Sequence, residues 1–330
     1  MTGLIVLAPM EGVVDPLMRD VLTRLGGIDQ CVTEFIRVTD TLLPDHVFLR
    51  LAPELRNGGK TAAGVPVAVQ LLGSRPDMLA RNAERAAQLG APAIDINFGC
   101  PSKTVNRHRG GASLLETPDD IHEIVKTVRS AVPAALPVTA KMRLGYRDTS
   151  LALENAHAIA EAGADRLTVH ARTKVEGYRP PAHWDWIARI REQVAIPVTA
   201  NGEIWSWDDY RRCREISGCD DVMIGRGLIA RPGLALEIKQ RLRRQTPCLS
   251  DWRQALGTLR TYAERLEQTT PVLVQSRTKQ WLHMMKREHA QAAVLFERIK
   301  TLHDIPLLKA ALAAAERELS PDDADMVCVA

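Results

Sequence analysis

The chain has 330 residues, of which 45% are hydrophobic and 25% are charged, and its formal net charge is +3. This is the composition of a globular protein, and no run of about 18 apolar residues is present that could cross a bilayer. The N-terminus lacks the basic segment of a signal peptide, so we expect a cytoplasmic protein with no membrane partner. The six cysteines form no CxxC pair and no metal-binding spacing with histidine, which indicates reduced thiols and no metal site.

Short apolar runs alternate with helix-like segments along the first 240 residues. The runs are rich in β-branched residues and fall at 4–7, 31–35, 66–71, 93–97, 138–141, 167–170, 198–200 and 222–224. Eight continuously apolar strands separated by helices are typical of an α/β fold of the (β/α)8 TIM barrel type, which we place at residues 1–243. A doubly wound sheet is the alternative, but it favours a GxGxxG motif after the first strand, which this chain lacks.

Polar residues follow nearly every predicted strand. Because a TIM barrel carries its chemistry at the C-terminal ends of the strands, we expect these residues to share one rim. Two of these residues have a purely structural alternative: Lys141 could bury only its aliphatic stem and keep its ammonium in water, and His170 could be an ordinary core histidine. The strand-end residues are Pro9, Met10 and Glu11; Glu34 and Arg37; Gln70; Asn97 and Cys100; Lys141 and Arg143; His170 and Arg172; Asn201, Gly202 and Glu203; and Gly225, Arg226 and Gly227.

A single cysteine stands just beyond the fourth predicted strand. Cys100 lies between Gly99 and Pro101, which pack poorly in a core, and the polar Asn97 precedes it by three residues. A buried core thiol is the simpler interpretation of an isolated cysteine, but these flanks favour a reactive thiol presented at a strand end. We expect an anionic substrate, because the following loop carries Lys103, Arg107, His108 and Arg109.

Two glycine-containing turns end the last two strands. The motifs ANGEI at 200–204 and IGRG at 224–227 would let backbone N–H groups approach a ligand, with helix N-termini following. TIM barrels commonly hold a phosphate at this position, and Arg226 would add a guanidinium group.

The sequence pattern changes after residue 243. Residues 245–247 are typical of a linker, Ser250 or Asp251 of a helix cap, and four helices are predicted at 252–268, 273–289, 290–302 and 305–318. We therefore predict a small all-helical domain at residues 250–320, followed by a frayed tail. One helix face carries Lys279, His283 and Lys286, which is either a solvated face or a surface that docks RNA.

The motif DINFGCPSKTV at residues 95–105 resembles the signature of the tRNA-dihydrouridine synthases. The similarity continues in APMEG at 8–12, KMRLG at 141–145, HAR at 170–172 and the two glycine turns, and it covers nearly the whole chain. TEFIRV at 33–38, EGYR at 176–179 and RTKQWL at 277–282 look most like the bacterial C subfamily. The resemblance implies a monomer that uses FMN and NADPH to reduce uridine 16 in the D-loop of tRNA.

The resemblance also implies roles for single residues. Cys100 would be the catalytic acid, protonating C5 of the uracil ring while hydride reaches C6. FMN would be bound by Pro9, Met10, Glu11, Gln70, Lys141, His170, Asn201, Gly202, Glu203, Gly225 and Arg226. The target uridine would be bound by Asn97 and Tyr178, and the rest of the tRNA by Arg37, Arg277, Lys279 and Lys300.

Three other functions are compatible with the same motifs. An FMN barrel oxidoreductase that acts on a small molecule, such as a dihydropyrimidine or enone, would share the rim but would not need a basic helical domain. A catalytically silent tRNA-binding protein would keep the fold without the flavin reaction. A phosphate-binding lyase barrel would contain no flavin at all.

Overall fold

The computed structural model describes residues 3–247 and 251–319, and eight of its parallel strands close into a barrel. Strand β2 pairs with both β1 and β4, so the ring closes without the short strand β3, which pairs only with β4. The predicted TIM barrel is therefore confirmed. The strands are β1 Ile5–Leu7, β2 Gln30–Val32, β3 Ile36–Arg37, β4 Val67–Leu72, β5 Ile94–Phe98, β6 Val138–Arg143, β7 Arg166–His170, β8 Val198–Asn201 and β9 Val222–Ile224.

The second strand differs from its predicted bounds of 31–35. Strand β2 ends at Val32, and pairing resumes only at Ile36 in β3. Between them, the Thr33 N–H still donates to the carbonyl of Ala68 at 3.0 Å, and side chains add two contacts: the Thr33 hydroxyl accepts from the backbone N–H of Gln70 at 3.0 Å, and Glu34 accepts from the N–H of Gly12. The run CVTEF at 31–35 is rich in apolar and β-branched residues, so its pattern alone does not mark the break.

Helices cover the outside of the barrel. Two of them, α1 and α8, begin with a side-chain cap: the Asp15 carboxylate accepts from the N–H of Met18 at 2.8 Å, and the Ser206 hydroxyl accepts from the N–H of Asp209 at 3.1 Å. The α-helices are α1 Pro16–Arg24, α2 Asp45–Leu51, α3 Pro76–Gln88, α4 Lys103–Arg107, α5 Pro118–Ala131, α6 Ala152–Glu161, α7 Trp184–Gln193, α8 Trp207–Ser217, α9 Arg226–Ala230 and α10 Leu234–Leu242, with 3-10 turns at Pro53–Asn57 and Gly111–Glu116.

Four further helices follow the barrel and pack against it. They are α11 Trp252–Thr269, α12 Val274–Met285, α13 Ala290–Ile299 and α14 Ile305–Arg317, with a 3-10 turn at Pro271–Leu273. Trp281 is almost fully buried and donates its indole N–H to the carbonyl of Ile229 at 2.8 Å, and the ring of Tyr262 meets it edge-on at 5.1 Å. Asp251 caps α11 by accepting from the N–H of Gln254.

The predicted division into a barrel domain at 1–243 and a helical domain at 250–320 stays a prediction, because the helices share buried contacts with the barrel. Ser250, the other residue proposed as a cap, and the tail after residue 319 lie outside the described residues. Within residues 3–247 and 251–319, no helix has the length and apolar character required to span a membrane.

Candidate active site

A cavity of about 430 Å³ opens at the C-terminal ends of the strands. Its volume lies within the usual range for sites that hold a cofactor or small substrate. The structure brings together in its lining all the residues predicted for catalysis, flavin binding and uridine binding. They are Cys100, Pro9, Met10, Glu11, Gln70, Lys141, His170, Asn201, Gly202, Glu203, Gly225, Arg226, Asn97 and Tyr178.

Cys100 lies in the cavity wall with 8% of its surface exposed. Burial raises the pKa of its thiol and the carboxylate of Glu11 raises it further, against the lowering effect of a hydrogen bond from the N–H of Ser102. The group is therefore a protonated thiol at neutral pH. A nucleophile would need the thiolate, so this environment favours a proton donor.

The backbone on both sides of Cys100 is tightly held. The Asn97 side-chain oxygen accepts from the N–H groups of Gly99 and Cys100, both at 2.9 Å, and the N–H of Ala112 donates to the carbonyl of Cys100 at 3.1 Å. Gly111 packs against the same residue with φ +61°, where an added Cβ would lie 2.9 Å from the Cys100 Cβ. Only glycine at 111 leaves the thiol in this position.

A chain of hydrogen bonds links this turn to a buried carboxylate. Asn97 Nδ2 donates to Gln70 Oε1 at 2.8 Å, Gln70 Nε2 donates to Asp95 Oδ2 at 2.7 Å, and the Thr139 hydroxyl donates to Asp95 Oδ1 at 2.5 Å. The strand register explains the alignment, because Gln70 pairs with Asp95 and Asp95 with Thr139. A carboxylate only accepts, so Gln70 must turn its nitrogen to Asp95 and its oxygen to Asn97. We call these three side chains, Asp95, Gln70 and Asn97, the amide relay.

The amide relay occupies most of the polar atoms of Gln70 and Asn97. Burial raises the pKa of Asp95, and the hydrogen bonds from Gln70 and Thr139 and the charge of Lys141 oppose that shift. The second Nδ2 hydrogen of Asn97 is the one donor of this side chain that its described partners leave unused, so a ligand would meet an N–H there.

Cationic and neutral donors line the floor of the cavity. Burial and the neighbouring charge of Arg143 lower the pKa of Lys141 to about 8, and its ammonium donates no hydrogen bond to any described residue. Burial and the charges of Arg143 and Lys141 lower the pKa of His170 far below its ordinary value, so its ring is neutral. The Nδ1 atom of His170 is buried and has no partner among the described residues. These atoms are available to a bound molecule.

The opposite side of the cavity is built by the turns after β8 and β9. Burial tends to raise the pKa of Glu203, but hydrogen bonds from Arg172 and from the Trp205 indole hold it below its usual value. Gly225 faces the cavity closely enough that a Cβ there would approach the Met10 sulfur to 3.3 Å. Gly202 and Gly225 both line the cavity, so the backbone of the two glycine turns lies at its wall, where the sequence predicted a phosphate.

Aromatic rings and guanidinium groups alternate across the mouth of the cavity. The centre of the Tyr178 ring lies 5.2 Å from the guanidinium of Arg143 and 4.8 Å from that of Arg226. The centre of the Trp205 ring lies 5.0 Å from the same Arg226 guanidinium and 3.6 Å from that of Arg287. We call this five-residue stack the cation–aromatic ladder. It runs from strand β6 to the turn between α12 and α13.

The C-terminal helices form one wall of the site. Met284 of α12 lines the cavity itself. Arg277 of the same helix donates to the carbonyl of Gly12, and Gln280 donates to that carbonyl at 3.1 Å, while Glu34 accepts from the Gly12 N–H. The loop that carries Pro9, Met10 and Glu11 is thus held by both the barrel and the helices.

Comparison with known proteins identifies the family. The profile described as Dihydrouridine synthase (Dus) matches residues 6–317. The chain belongs to the dihydrouridine synthase family. It is 56% identical over 301 residues to a Pseudomonas putida protein named tRNA-dihydrouridine(16) synthase, and the aligned region covers 91% of this chain and 93% of that protein. Proteins with the same name are 54% identical in Ralstonia nicotianae, over 96% of this chain and 98% of the relative, and 51% identical in Neisseria meningitidis serogroup B, over 96% of each.

Two solved structures share the fold alone. A histamine dehydrogenase from Rhizobium sp. 4-9 has a TM-score of 0.56 at 16% identity, over 79% of this chain and 48% of that one. A 2-naphthoyl-CoA reductase has a TM-score of 0.55 at 13% identity, over 73% of this chain and 50% of that one. The synthase therefore spans about half the length of each.

The four residues that were predicted to contact tRNA outside the pocket do not line the cavity of this dihydrouridine synthase. Arg37 is exposed on β3, and Arg277 is partly buried against Gly12. Lys279 donates to the carbonyls of Lys300 and Leu302, at the C-terminal end of α13, which indicates a helix-stabilising contact. Lys300 forms an ion pair with Glu297. Their contact with tRNA stays a prediction.

Several lining residues of the synthase were not assigned to the site from the sequence. Phe35 enters the cavity because β2 ends early, and Trp205 follows the ANGEI turn directly. Met284 comes from a helix whose sequence resembles any amphipathic helix, so only the tertiary structure could reveal it. Arg143 was recognised at a strand end, and the structure shows it holding the carbonyls of Gly99 and Gly177 at 2.9 Å. Within the described ranges, no three metal-ligating side chains come together.

Proposed function

We propose that this dihydrouridine synthase reduces uridine 16 in the D-loop of tRNA to 5,6-dihydrouridine, with FMN as cofactor and NADPH as reductant. One observation carries the proposal most directly: Cys100 is a buried, protonated thiol at a cavity whose floor presents unused donors. The relatives in three bacteria bear the name of this reaction, and they match this chain over nearly its full length.

The residues of the cavity fit a flavin mononucleotide. The unpartnered His170 Nδ1 and the free Lys141 ammonium suit the polar edge of the isoalloxazine ring. Gly225 and Gly202 bring backbone to the cavity wall where a phosphate would lie, and Arg226 adds positive charge there. We assign Pro9, Met10, Glu11, Gln70, Asn201 and Glu203 to the same cofactor site.

Reduced FMN would supply the two electrons and the hydrogen that add to C6 of the uracil. Cys100 would supply the proton to C5, a role that its raised pKa suits because the thiol keeps its proton at neutral pH. Asn97 would hold the turn that carries Cys100 and offer its spare N–H to the base. Tyr178, with 52% of its surface exposed at the mouth, would contact the uridine as it enters.

A uridine stacked in an RNA loop must leave its stack to reach a recessed cofactor. Contacts outside the pocket have to offset that cost, and we assign Arg37, Arg277, Lys279 and Lys300 to this task as predicted from the sequence. We further propose that the synthase acts as a monomer in the cytoplasm, where its tRNA substrate is found.

The test compares Cys100→Ala with Cys213→Ala, which removes another buried thiol far from the cavity lining. We expect the wild-type protein to be yellow, to be bleached by NADPH, and to form dihydrouridine at position 16 of a tRNA transcript. Cys100→Ala should keep the colour and the bleaching while dihydrouridine formation falls at least about 100-fold, the usual scale for losing a general acid. Cys213→Ala should react normally.

Two outcomes would contradict the proposal. Full dihydrouridine formation by Cys100→Ala would remove this residue from the acid role. A colourless protein, or turnover of a free dihydropyrimidine or enone with no reaction on tRNA, would support a rival function. Mapping dihydrouridine in tRNA from a strain that lacks the protein tests the position independently of the purified enzyme.

A further inference from the structure

We propose that Arg287, at the outer end of the cation–aromatic ladder, binds a backbone phosphodiester of the RNA strand that carries the target uridine. The inference rests on the proposed function, because it assumes a tRNA substrate. It adds a binding residue outside the cavity that the sequence motifs do not include.

Geometry sets Arg287 apart from an ordinary surface arginine. Its guanidinium lies 3.6 Å from the centre of the Trp205 ring, and that of Arg226 lies 5.0 Å from the same centre. Glu203 lies between the two arginines at 3.7 Å from each. Both guanidinium planes are therefore fixed before any ligand arrives, which reduces the entropy lost on binding.

Stacking leaves the N–H groups of a guanidinium free at its edge. Among the described residues, neither Arg287 nor Arg226 donates a hydrogen bond, and their contacts with Glu203 are ion pairs at longer range. Arg287 has a second ion pair with Glu288 at 3.4 Å, and its side chain is still 51% exposed. Its planar fork is therefore available to a group that accepts two parallel hydrogen bonds, as a phosphate does.

Local charge also favours an anion here. Glu203 meets three guanidinium groups, those of Arg172, Arg226 and Arg287, and Arg172 is fully buried with one terminal nitrogen that has no described partner. Even with Glu288, which pairs with Arg287, two carboxylates face three guanidinium groups, so one positive charge is left over. The excess positive charge lies where a strand must pass to place a base in the cavity.

The position of Arg287 distinguishes an RNA phosphate from the cofactor phosphate. Arg226 lines the cavity, whereas Arg287 does not, although both guanidinium groups lie against the Trp205 ring. An inner phosphate would meet Arg226, and an outer one would meet Arg287. Tyr178, exposed at the same mouth, leaves room for a base beside that phosphate.

The test measures binding of an unmodified tRNA transcript to the FMN-loaded enzyme without NADPH, as a function of salt. The variants are Arg287→Gln and Arg287→Lys, with Arg298→Gln as the matched control. Arg298 is 48% exposed in the same helical region and forms its ion pair with Glu318. FMN content is measured for every variant.

We expect Arg287→Gln to weaken tRNA binding about 3- to 10-fold at moderate salt and to reduce the salt slope by about one, as for the loss of one phosphate contact. The tRNA affinity of Arg287→Lys should lie between those of the wild type and Arg287→Gln, because lysine keeps the positive charge but lacks the planar guanidinium that stacks on Trp205. Arg298→Gln should change affinity less than twofold, and no variant should lose FMN.

Two results would overturn the inference. Equal affinity and equal salt slope for Arg287→Gln and Arg298→Gln would show that Arg287 makes no phosphate contact. Loss of FMN from Arg287→Gln with unchanged tRNA affinity would assign the residue to the cofactor phosphate. Wild-type enzyme that binds tRNA but forms no dihydrouridine would refute the proposed function while leaving the binding comparison valid.

Discussion

The amide relay makes a sharp prediction for the substitution Asn97→Asp. The new carboxylate can still accept from the N–H groups of Gly99 and Cys100, but it has no N–H for Gln70. The amide of Gln70, with one oxygen and one N–H₂ group, would then lie between two carboxylates. Whichever way the amide turns, its oxygen faces a carboxylate oxygen, across a contact that measures 2.7–2.8 Å in the wild-type protein.

The expected cost follows from this count. Each buried acceptor left without a donor costs about 1–3 kcal/mol, and the lost contact leaves two such acceptors, so Asn97→Asp should lower the free energy of unfolding by about 2–6 kcal/mol. The penalty should also depend on pH. A proton shared in the relay would restore the hydrogen bond, so the folded pKa of one carboxyl lies above its unfolded value of about 4. Stability relative to wild type is therefore lost as pH rises through that folded pKa.

The control is the double variant Asp95→Asn with Asn97→Asp. It reverses the relay: Asn at 95 can donate to the Gln70 oxygen, Gln70 can donate to Asp at 97, and the Thr139 hydroxyl still has an oxygen at 95 to bind. Asp95→Asn alone should cost less than about 1 kcal/mol, because the Thr139 hydroxyl can also accept.

Urea unfolding of the four proteins at pH 5 and pH 8 gives the coupling energy between positions 95 and 97. We expect the double variant to regain about 2 kcal/mol relative to Asn97→Asp at pH 8, with a smaller gain at pH 5. Additive effects, or a penalty for Asn97→Asp that is the same at both pH values, would show that the relay direction does not matter.

Two further expectations concern the cavity. Gly111→Ala should lower dihydrouridine formation about 10- to 100-fold with normal FMN content, because the new Cβ would force Cys100 out of place. Gly110→Ala is the control, since its Cβ would lie no closer than 3.4 Å to any other atom, and it should react normally. FMN affinity should weaken as pH rises from 7 to 9, because the pKa of Lys141 is about 8 and its ammonium is lost across this interval; titration of Lys141→Met, which should show no such pH dependence, checks the assignment.

The position of the site could be predicted from the sequence because parallel strands place their C-terminal ends together. Asn97, Lys141 and His170 each end an apolar run, and the closed ring of strands brings them to one cavity. The amide relay could not be predicted, since it depends on the register that sets Gln70 beside Asp95. A one-residue shift would place these side chains on opposite faces, and a single sequence does not encode the register in any local pattern.

The helical region shows a similar limit. Trp281, Leu282 and Met285 form the buried side of α12, and their spacing is that of one apolar helix face. The apolar periodicity of a helix shows which of its sides is buried, but not which part of the protein that side packs against. For that reason the contact of Lys279 with the end of α13 was not foreseen, and neither was the place of Arg287 in the ladder.

The placement of α12 changes which experiments can separate an RNA substrate from a small one. Met284 lines the cavity, Arg277 holds the loop after β1, and Trp281 fills a buried position against Ile229. Deleting the chain after about residue 245 would therefore open the cavity and loosen the loop that faces the cofactor. Activity would fall for any substrate, whether RNA or a small enone. An exposed residue such as Arg287 avoids this ambiguity, because its substitution leaves the cavity wall intact and changes only what a strand meets outside it.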